Sequence, residues 1–361
     1  MSELKTNKIS TNDQNNVAID NALGLKSYTT TQRNALTSAT GDMIYNSTDS
    51  KPQYYDGTNW QNFAETFDLE VEYIVVAGGG SGGTDRGGGG GAGGYRSSIR
   101  NELSGGGASA ETYQTLSTGT SYTVTIGAGG AAATSNEQVG ADGNDSSFVG
   151  TSTITSTGGG GGGMVASKDG RTGGSGGGAG ASGSGSSSGG SGTTNQGFAG
   201  GAGYNVGTGS RGGGGGGAGE AGANATSGPG GKGGDGVHTS VTGSYYAGGG
   251  GGGIDERTAN NPGAGGLGGG GTGGDKGSGA TGEVTPTAGA ANTGGGGGGS
   301  GQDPTSASIR GQAGGSGIII FKYPKTYTIT GAGGATVTET TDTYYKYAEV
   351  TTSGTVSWAS A

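Results

Sequence analysis

Four uninterrupted runs of six glycines, at 158–163, 212–217, 248–253 and 294–299, constrain this chain more than any other feature. A run of five at 87–91 precedes them. Glycine has no side chain to bury and loses more backbone freedom on ordering than any other residue. Six in a row therefore cannot be held by an apolar stripe, as a helix or a strand is. In all, 98 of 361 residues are Gly, whereas Leu, Ile, Val and Phe together number 41. An oil-like interior is excluded over most of the chain. The runs start 54, 36 and 46 residues apart, so no fixed repeat builds a solenoid. Strict Gly-X-Y is also missing, which excludes collagen.

Two states are open to such a chain. One is a flexible tether, and 182–192 has the Gly-Ser composition of one. The other is a bundle of polyproline-II-like helices made of glycine, with three residues per turn and no internal hydrogen bonds. Every N–H and C=O then points outward and needs a partner. Neighbours without Cβ atoms can come close enough to supply it. Ordering costs about 1–2 kcal/mol per residue. A net hydrogen bond returns about 0.5–1.5 kcal/mol, and Cα–H···O contacts add about 0.5–1 kcal/mol. The sum is near balance, so flanking strands and lateral neighbours decide. A tether has no reason to carry strands at both borders, so the expectation is an ordered bundle. The glycines bounding its runs, Gly158, Gly163, Gly212, Gly217, Gly248, Gly253, Gly294 and Gly299, are its candidate structural positions.

Glycine is unevenly spread: three in 1–77, 69 in 156–317 and four in 318–361. Three regions follow, 1–65, 66–323 and 324–361. In the first, a Thr-capped helix at 31–36 and aromatic runs around Asp56-Gly57 predict a small β-meander. In the second, strands are predicted at 71–76, 112–116, 122–126 and 318–321, where β-branched and aromatic residues alternate between turn residues. The third, with Thr, Tyr and Val alternating and a turn at Ser353-Gly354, predicts a short β module of its own. The fold class is thus mainly β and irregular: a polyglycine-II bundle flanked by short strands, small β modules at both ends, and almost no α-helix.

Composition also removes functions. The chain has no Cys and one His, His238, so disulfides, thiolate metal sites and most catalytic triads are excluded. The net charge is −9, which opposes phosphate-backbone binding. No apolar h-region follows Met1, and no stretch of 18 apolar residues occurs, so neither a secretory signal nor a membrane span is expected. Gly-x-Ser-x-Gly at 79–83 and 173–177 lacks a strand-turn-helix context and matches by composition. Asp142, Asn144 and Asp145 suggest a calcium loop, but Ser146-Ser147 break the spacing, and a turn is the simpler reading. Asp255-Glu256 is a poor glycosidase pair, since adjacent loop side chains diverge. No enzyme, cofactor or metal is expected.

Exposed aromatics and polars between glycine runs are more informative. Tyr outnumbers Phe 16 to 5, which suits surfaces that are wet and adhesive at once. The clusters are Phe198/Tyr204/Asn205/Arg211, His238/Tyr245/Tyr246, Asp255/Glu256/Arg257/Asn260/Asn261 and Gln302/Asp303/Arg310. Flat rings with Asn, Asp and Arg bind carbohydrate or receptor loops; equally, they plug and solubilise bundle ends. The receptor-binding candidates are Tyr204, Asn205, Arg211, His238, Tyr245, Tyr246, Asp255, Arg257 and Asn260.

Val71 to Ala77 followed by Gly78-Gly79-Gly80, then 87–91 with Ala92-Gly93-Gly94-Tyr95, resembles the opening of glycine-rich tail-fibre and adhesin modules of tailed bacteriophages, marine ones in particular. Residues 122–130, Gly143/Ser146/Phe148 and the closing 315–324 fit the same module. Residues 31–36, 41–46 and 55–60 resemble a small module of phage fibre proteins, and 2–9 their N-terminal start. The resemblance implies a virion protein, on a surface fibre or tail, made in the host cytoplasm. Its loops, set on a polyglycine-II scaffold, would recognise a bacterial surface glycan or outer-membrane receptor. The first 65 residues would attach it to other virion proteins and to its own copies, as a trimer. The alternative is a purely structural virion fibre or capsid-decorating protein. One departure stands out: residues 344–358 look like a hairpin that usually precedes the glycine-rich module, and here they follow it. A cap on the fibre tip, or a contact with another subunit, is then expected.

Overall fold

The computed structural model describes residues 24–63, 69–165, 169–181, 187–206, 209–255, 261–275, 284–301 and 310–361. The chain forms two compact units, 1–67 and 68–361. It is mainly β and irregular; among the described residues the one α-helix is α1 (Thr30–Asn34).

In the first unit α1 follows β1 (Ser27–Tyr28) and precedes β2 (Met43–Asn46), β3 (Lys51–Tyr55) and β4 (Trp60–Asn62). The four strands form one sheet in sequence order. Thr29 caps the helix reciprocally: its hydroxyl accepts the Gln32 amide, and the Gln32 side chain accepts the Thr29 amide. The β3–β4 turn is closed by Asp56 Oδ1, which accepts the amides of Thr58 and Asn59, both at 2.7 Å. Gly57 sits there at φ +102°, open to glycine without strain.

The second unit begins with β5 (Leu69–Val76), β6 (Tyr95–Ser97), β7 (Gln114–Leu116), β8 (Tyr122–Thr125), β9 (Ser146–Val149) and β10 (Thr153–Ser156). Short pairs follow inside the glycine-rich stretch: β11 (Tyr204–Val206), β12 (Gly209–Arg211), β13 (Val237–Thr239), β14 (Ser244–Tyr246) and β15 (Ile254–Asp255). The chain ends with β16 (Ile318–Pro324), β17 (Tyr327–Ala332), β18 (Val337–Thr341), β19 (Tyr345–Val350) and β20 (Gly354–Ser360). Two main sheets result, ordered β18-β19-β16-β5-β6 and β10-β9-β8-β20-β17, with β7 also on β5.

The two sheets enclose an aromatic core. Trp358 meets Phe321, Tyr323 and Tyr122 at centroid distances of 5.3, 5.9 and 6.0 Å, and Phe148 meets Phe321 at 4.8 Å. Strands β5 and β16 are apolar on both faces over 73–76 and 318–321, as strands buried on both sides are. Val71, Tyr73, Val75, Ile319, Phe321 and Tyr323 enter the sandwich core. The alternate residues Ile74, Val76, Ile318 and Ile320 pack instead against Ala92, Tyr95, Ala218, Tyr246 and Ala247 of the glycine-rich part.

That part is a lattice of polyglycine-II helices with a three-residue period. In the first pass beyond β5, the amides of Gly78, Ser81 and Thr84 donate to Asn144, Ala141 and Gln138. Gly79 and Gly82 donate to Gly315 and Gln312, and Gly80 and Gly83 to Gly91 and Gly88. Each step of three thus addresses one neighbour, and three neighbours are served in turn. The carbonyls serve three more: Gly78 and Ser81 accept from Gly159 and Gly162, Gly79 from Gly130, and Gly80 and Gly83 from Gly297 and Ser300. Segment 87–94 has the same six-fold surroundings. It donates to 294–300, 157–163 and 213–216, and it accepts from 77–83, 175–178 and 250–253. The hydrogen-bond requirement of P-II backbone is met sideways, in every direction.

This packing leaves no space for side chains. A Cβ on Gly158, Gly212 or Gly253 would lie 1.9, 2.1 or 1.8 Å from a neighbouring carbonyl oxygen, and on Gly217, Gly248 or Gly299 at 2.2–2.3 Å. Gly294 adds a left-handed φ of +70°, and Gly163 bonds Gly178. Where a helix lies at the lattice surface, a carboxylate replaces the missing neighbour. Asp142 and Asp145, one turn apart, accept the amides of Gly161 and Gly158 at 2.9 and 2.7 Å. The apparent calcium loop is therefore a backbone-satisfying face; among the described residues no acidic or His cluster is arranged to hold a metal.

Two expectations need correction. Residues 324–361 are not a module apart: β19 lies beside β16 and β20 beside β8, so this segment completes both sheets of the sandwich. The late hairpin likewise seals the core, through Trp358, instead of capping a tip. Of 182–192, which has the composition of a tether, residues 187–192 belong to the lattice, as the ordered bundle requires: Gly190 donates to Gly177 and Ser191 accepts from Gly173; residues 182–186 lie outside the described residues.

Gly90→Ala places a Cβ 2.1 Å from the Gly80 carbonyl, whereas at Gly228 the nearest atom is 3.9 Å away. Gly90→Ala should cost about 3 kcal/mol or more and lower the melting temperature on the order of 10 °C. Gly228→Ala should stay within about 0.5 kcal/mol. Equal calorimetric melting of the two would contradict the lattice. Trp358→Ala should cost about 3–5 kcal/mol by denaturant titration, since it voids the junction of five aromatic rings.

Candidate functional site

The passes of the lattice run alternately away from the sandwich and back, so connections collect at two ends. Strands β5, β8 and β10 lead outward, and β6, β9 and β16 receive the returning chain. Proximal connections lie beside the sandwich; distal ones lie at the opposite end. Hydrogen bonds identify the distal set. Arg86 donates to Gly301 and accepts from Ala181, Thr84 donates to Gln138, and Gly253 donates to Gly87.

The sequence-predicted residues divide between these ends. Tyr204, Asn205, Arg211 and Asp255 are distal and share the small sheet β11-β12-β15. Tyr204 pairs with Arg211, Asn205 and Asp255 both pair with Ser210, and the Arg211 guanidinium stands over the Tyr204 ring at 5.8 Å. Asp255 lies 3.9 Å from Arg86. Arg211 is buried, so it supports the hairpin from below and leaves Tyr204 and Asp255 as its partly exposed groups. Arg257 and Asn260, with Glu256, lie outside the described residues, as do Gln302 and Asp303; Asn261 is exposed where the chain re-enters. Arg310 is also distal, donating to Asn136 Oδ1 at 2.9 Å and to the Thr134 carbonyl at 2.7 Å.

His238, Tyr245 and Tyr246 belong to the other end, on the hairpin β13–β14. His238 and Tyr245 meet edge to face at 5.0 Å, and Tyr245 is exposed. Tyr246 is buried in the cluster under β5, and burial raises its phenol pKa. The hairpin is tied back to Glu102 by Ser240, whose amide and hydroxyl both donate to Oε1, at 2.8 and 2.5 Å. Beside it, Glu102, Leu103, Val237 and His238 line a cleft of about 410 Å³. Asp235, just before the hairpin, feels burial that raises its pKa. The Lys232 ammonium at 2.9 Å and the Leu267 amide at 2.8 Å outweigh it and hold the carboxyl below its ordinary value.

Sequence reasoning missed Asp85 and Arg86. These two form the tip between the first and second passes, both left-handed at φ 51° and 58°. Left-handed backbone at two successive non-glycine residues is uncommon and costly. It persists here because Ser300 Oγ accepts the Asp85 amide at 2.9 Å and Gly301 accepts the Arg86 amide at 3.1 Å. A charged pair interrupting two glycine runs was the available signal.

A sandwich whose strands pass into a polyglycine lattice over most of the chain is matched by one family, described as a glycine-rich domain, over residues 58–324. The chain belongs to the glycine-rich domain family. No curated protein and no solved structure matches it. The matched region contains every lattice run and both loop-bearing ends, so family membership covers the scaffold and the candidate residues alike. Nothing in the family's description assigns those residues a ligand.

Proposed function

We propose that the chain is a bacteriophage virion fibre or adhesin that displays distal loops on its polyglycine scaffold to recognise a host surface. The observation that carries this reading is the sorting of the connections. Residues 85–86, 204–206, 209–211 and 254–255 all stand at the end farthest from the sandwich, held by lateral backbone bonds. Recognition favours loops on a rigid base, because the ordering entropy is already lost before the ligand arrives. The distal sheet offers the Tyr204 ring on β11 and, across β12, the carboxylate of Asp255 with the Arg86 guanidinium 3.9 Å away, chemistry suited to a bacterial glycan or the loops of an outer-membrane receptor. His238 and Tyr245, at the opposite end, are assigned no part in host contact. The resemblance of the opening 71–95 and the closing 315–324 to phage tail-fibre modules supports a place on the virion, in several copies. The reading assigns no catalysis.

The purified chain should bind host bacteria saturably and block phage adsorption. Replacing 204–211 by a Gly-Ser hairpin should weaken that binding at least about 10-fold, a loss of about 1.4 kcal/mol. Tyr245→Ala should leave it unchanged. A chain that binds no cells across a panel of hosts, yet is abundant in particles, would establish the purely structural role instead.

A further inference from the structure

The proximal cleft of about 410 Å³ is walled by two connections, the segment 101–107 and the start of hairpin β13–β14. Segment 101–107 bends sharply, with Asn101, Gly106 and Gly107 left-handed at φ 67°, 65° and 74°. Leu103, 57% exposed, stands with Val237 and the His238 ring as the apolar walls. Glu102 and His238 are the ionisable groups among the lining residues. The Glu102 carboxylate is pinned on one side and unanswered on the other. Its Oε1 accepts both the amide and the hydroxyl of Ser240, which ties the two walls together. Its Oε2 is shut off from water and has no hydrogen-bond partner. The hydroxyl of buried Tyr95 is in the same state; burial raises the pKa of this phenol, and the Glu102 charge raises it further. Among the described residues no cation pairs with Glu102: Arg100 pairs with Glu70 and Glu72, and Lys232 with Asp235.

A carboxylate oxygen withdrawn from water without a partner is costly, and a group that brings positive charge and N–H donors recovers that cost. Carboxylate and phenol oxygens both accept from such a group. Shielding from water also strengthens the attraction over its value in bulk solvent. A cleft of about 410 Å³ is small for a ligand pocket and suits one head group on a short carbon chain. From this we infer that the proximal cleft binds an organic cation, a guanidinium or primary ammonium on an aliphatic stem, with Glu102 as its counter-ion. Leu103 and Val237 take the stem. A bare metal ion is not suited, because one carboxylate among apolar walls cannot replace its shell of oxygens; among the described residues no metal-holding cluster occurs. An anion is opposed by Glu102 itself. The inference stands apart from host recognition, which is assigned to the other end.

His238 is the single histidine of the chain, so its imidazole gives one NMR signal from the cleft wall. In the full chain, n-butylguanidinium should shift that signal saturably, with a dissociation constant on the order of 1–10 mM for so small a ligand. n-Butylurea, of the same shape without the charge, should bind at least about 10-fold more weakly. Glu102→Gln keeps an oxygen for the two Ser240 bonds and removes the charge, and should weaken n-butylguanidinium by at least about 10-fold. Leu103→Lys, at an exposed position, sets an ammonium in the wall and should weaken it by about as much. Glu137→Gln, at the distal end, should leave it unchanged. Near-ultraviolet circular dichroism of the sandwich aromatics confirms that each variant is folded. Tighter binding of the tripeptide Gly-Arg-Gly than of n-butylguanidinium assigns the cleft to a basic side chain of a neighbouring protein, and weaker binding to a free amine; both sustain the site. The absence of a saturable shift overturns it. So does equal binding of n-butylurea, or an affinity that ignores both Glu102→Gln and Leu103→Lys, which would leave Glu102 as a clamp on the hairpin alone.

Discussion

Sideways hydrogen bonding between backbones without side chains is the interaction on which the rest of this molecule depends. A P-II helix makes no bonds to itself, so all of its stability is held in common with its neighbours. Segment 87–94 draws on six of them. The cost of one misfit is therefore shared in the same way: a Cβ at Gly90 displaces the Gly80 carbonyl, and Gly80 bonds in turn to 91 and 297. Glycine here is a packing requirement on all sides, much as every third residue is at the axis of collagen.

Such a lattice needs a starting register, and the sandwich supplies it. The pair Val76–Tyr95 closes the β5–β6 ladder, and the next bonds are Ala77 to Gly94, Gly80 to Gly91 and Gly83 to Gly88. Likewise Ile318–Val76 hands over to Gly79–Gly315 and Gly82–Gln312. Neighbouring strands remain neighbours as they become helices; only the period changes, from two to three. The aromatic core thus fixes which passes face one another. That offsets an entropy that the glycine runs alone balance only narrowly. It also explains why Ile74, Val76, Ile318 and Ile320 are apolar on what would otherwise be an outer face: they floor the lattice.

Much of this was legible in the sequence, and the failures have identifiable causes. Strands with alternating β-branched and aromatic residues, such as 71–76 and 318–321, sit where pattern placed them. Their partners did not follow from pattern. Residues 122–132 and 327–337 read almost alike, YTVTIGAGGAA and YTITGAGGATV. After β8 the glycines become a lattice pass, with Gly127 and Gly130 bonded to Ser146 and Gly79. In β17 they stay in the ladder with β20, then turn at Gly333 and Gly334 with φ of +62° and +101°. The neighbours available in space decide between these outcomes, and local sequence does not record them. The candidate residues show the same limit. Polar clusters between glycine runs were visible as connections, but whether a connection is distal, like that of β11 and β12, or proximal, like 237–246, depends on the parity of the passes before it. Burial of Arg211 and Tyr246 follows from that placement and has no local signature.

The up-and-down course of the passes separates two kinds of constraint. Within a pass, residue identity is fixed by six neighbours. At a distal connection, length and composition are bounded only by the points where the chain leaves and re-enters. Ile254 and Asp255 pair with β12, and Ile254 also bridges Asp275, whatever lies between Asp255 and the return pass at Gly263. Loop closure grows slowly with length, so such insertions cost the lattice little. A surface of this kind can change its chemistry at one end without repacking the other.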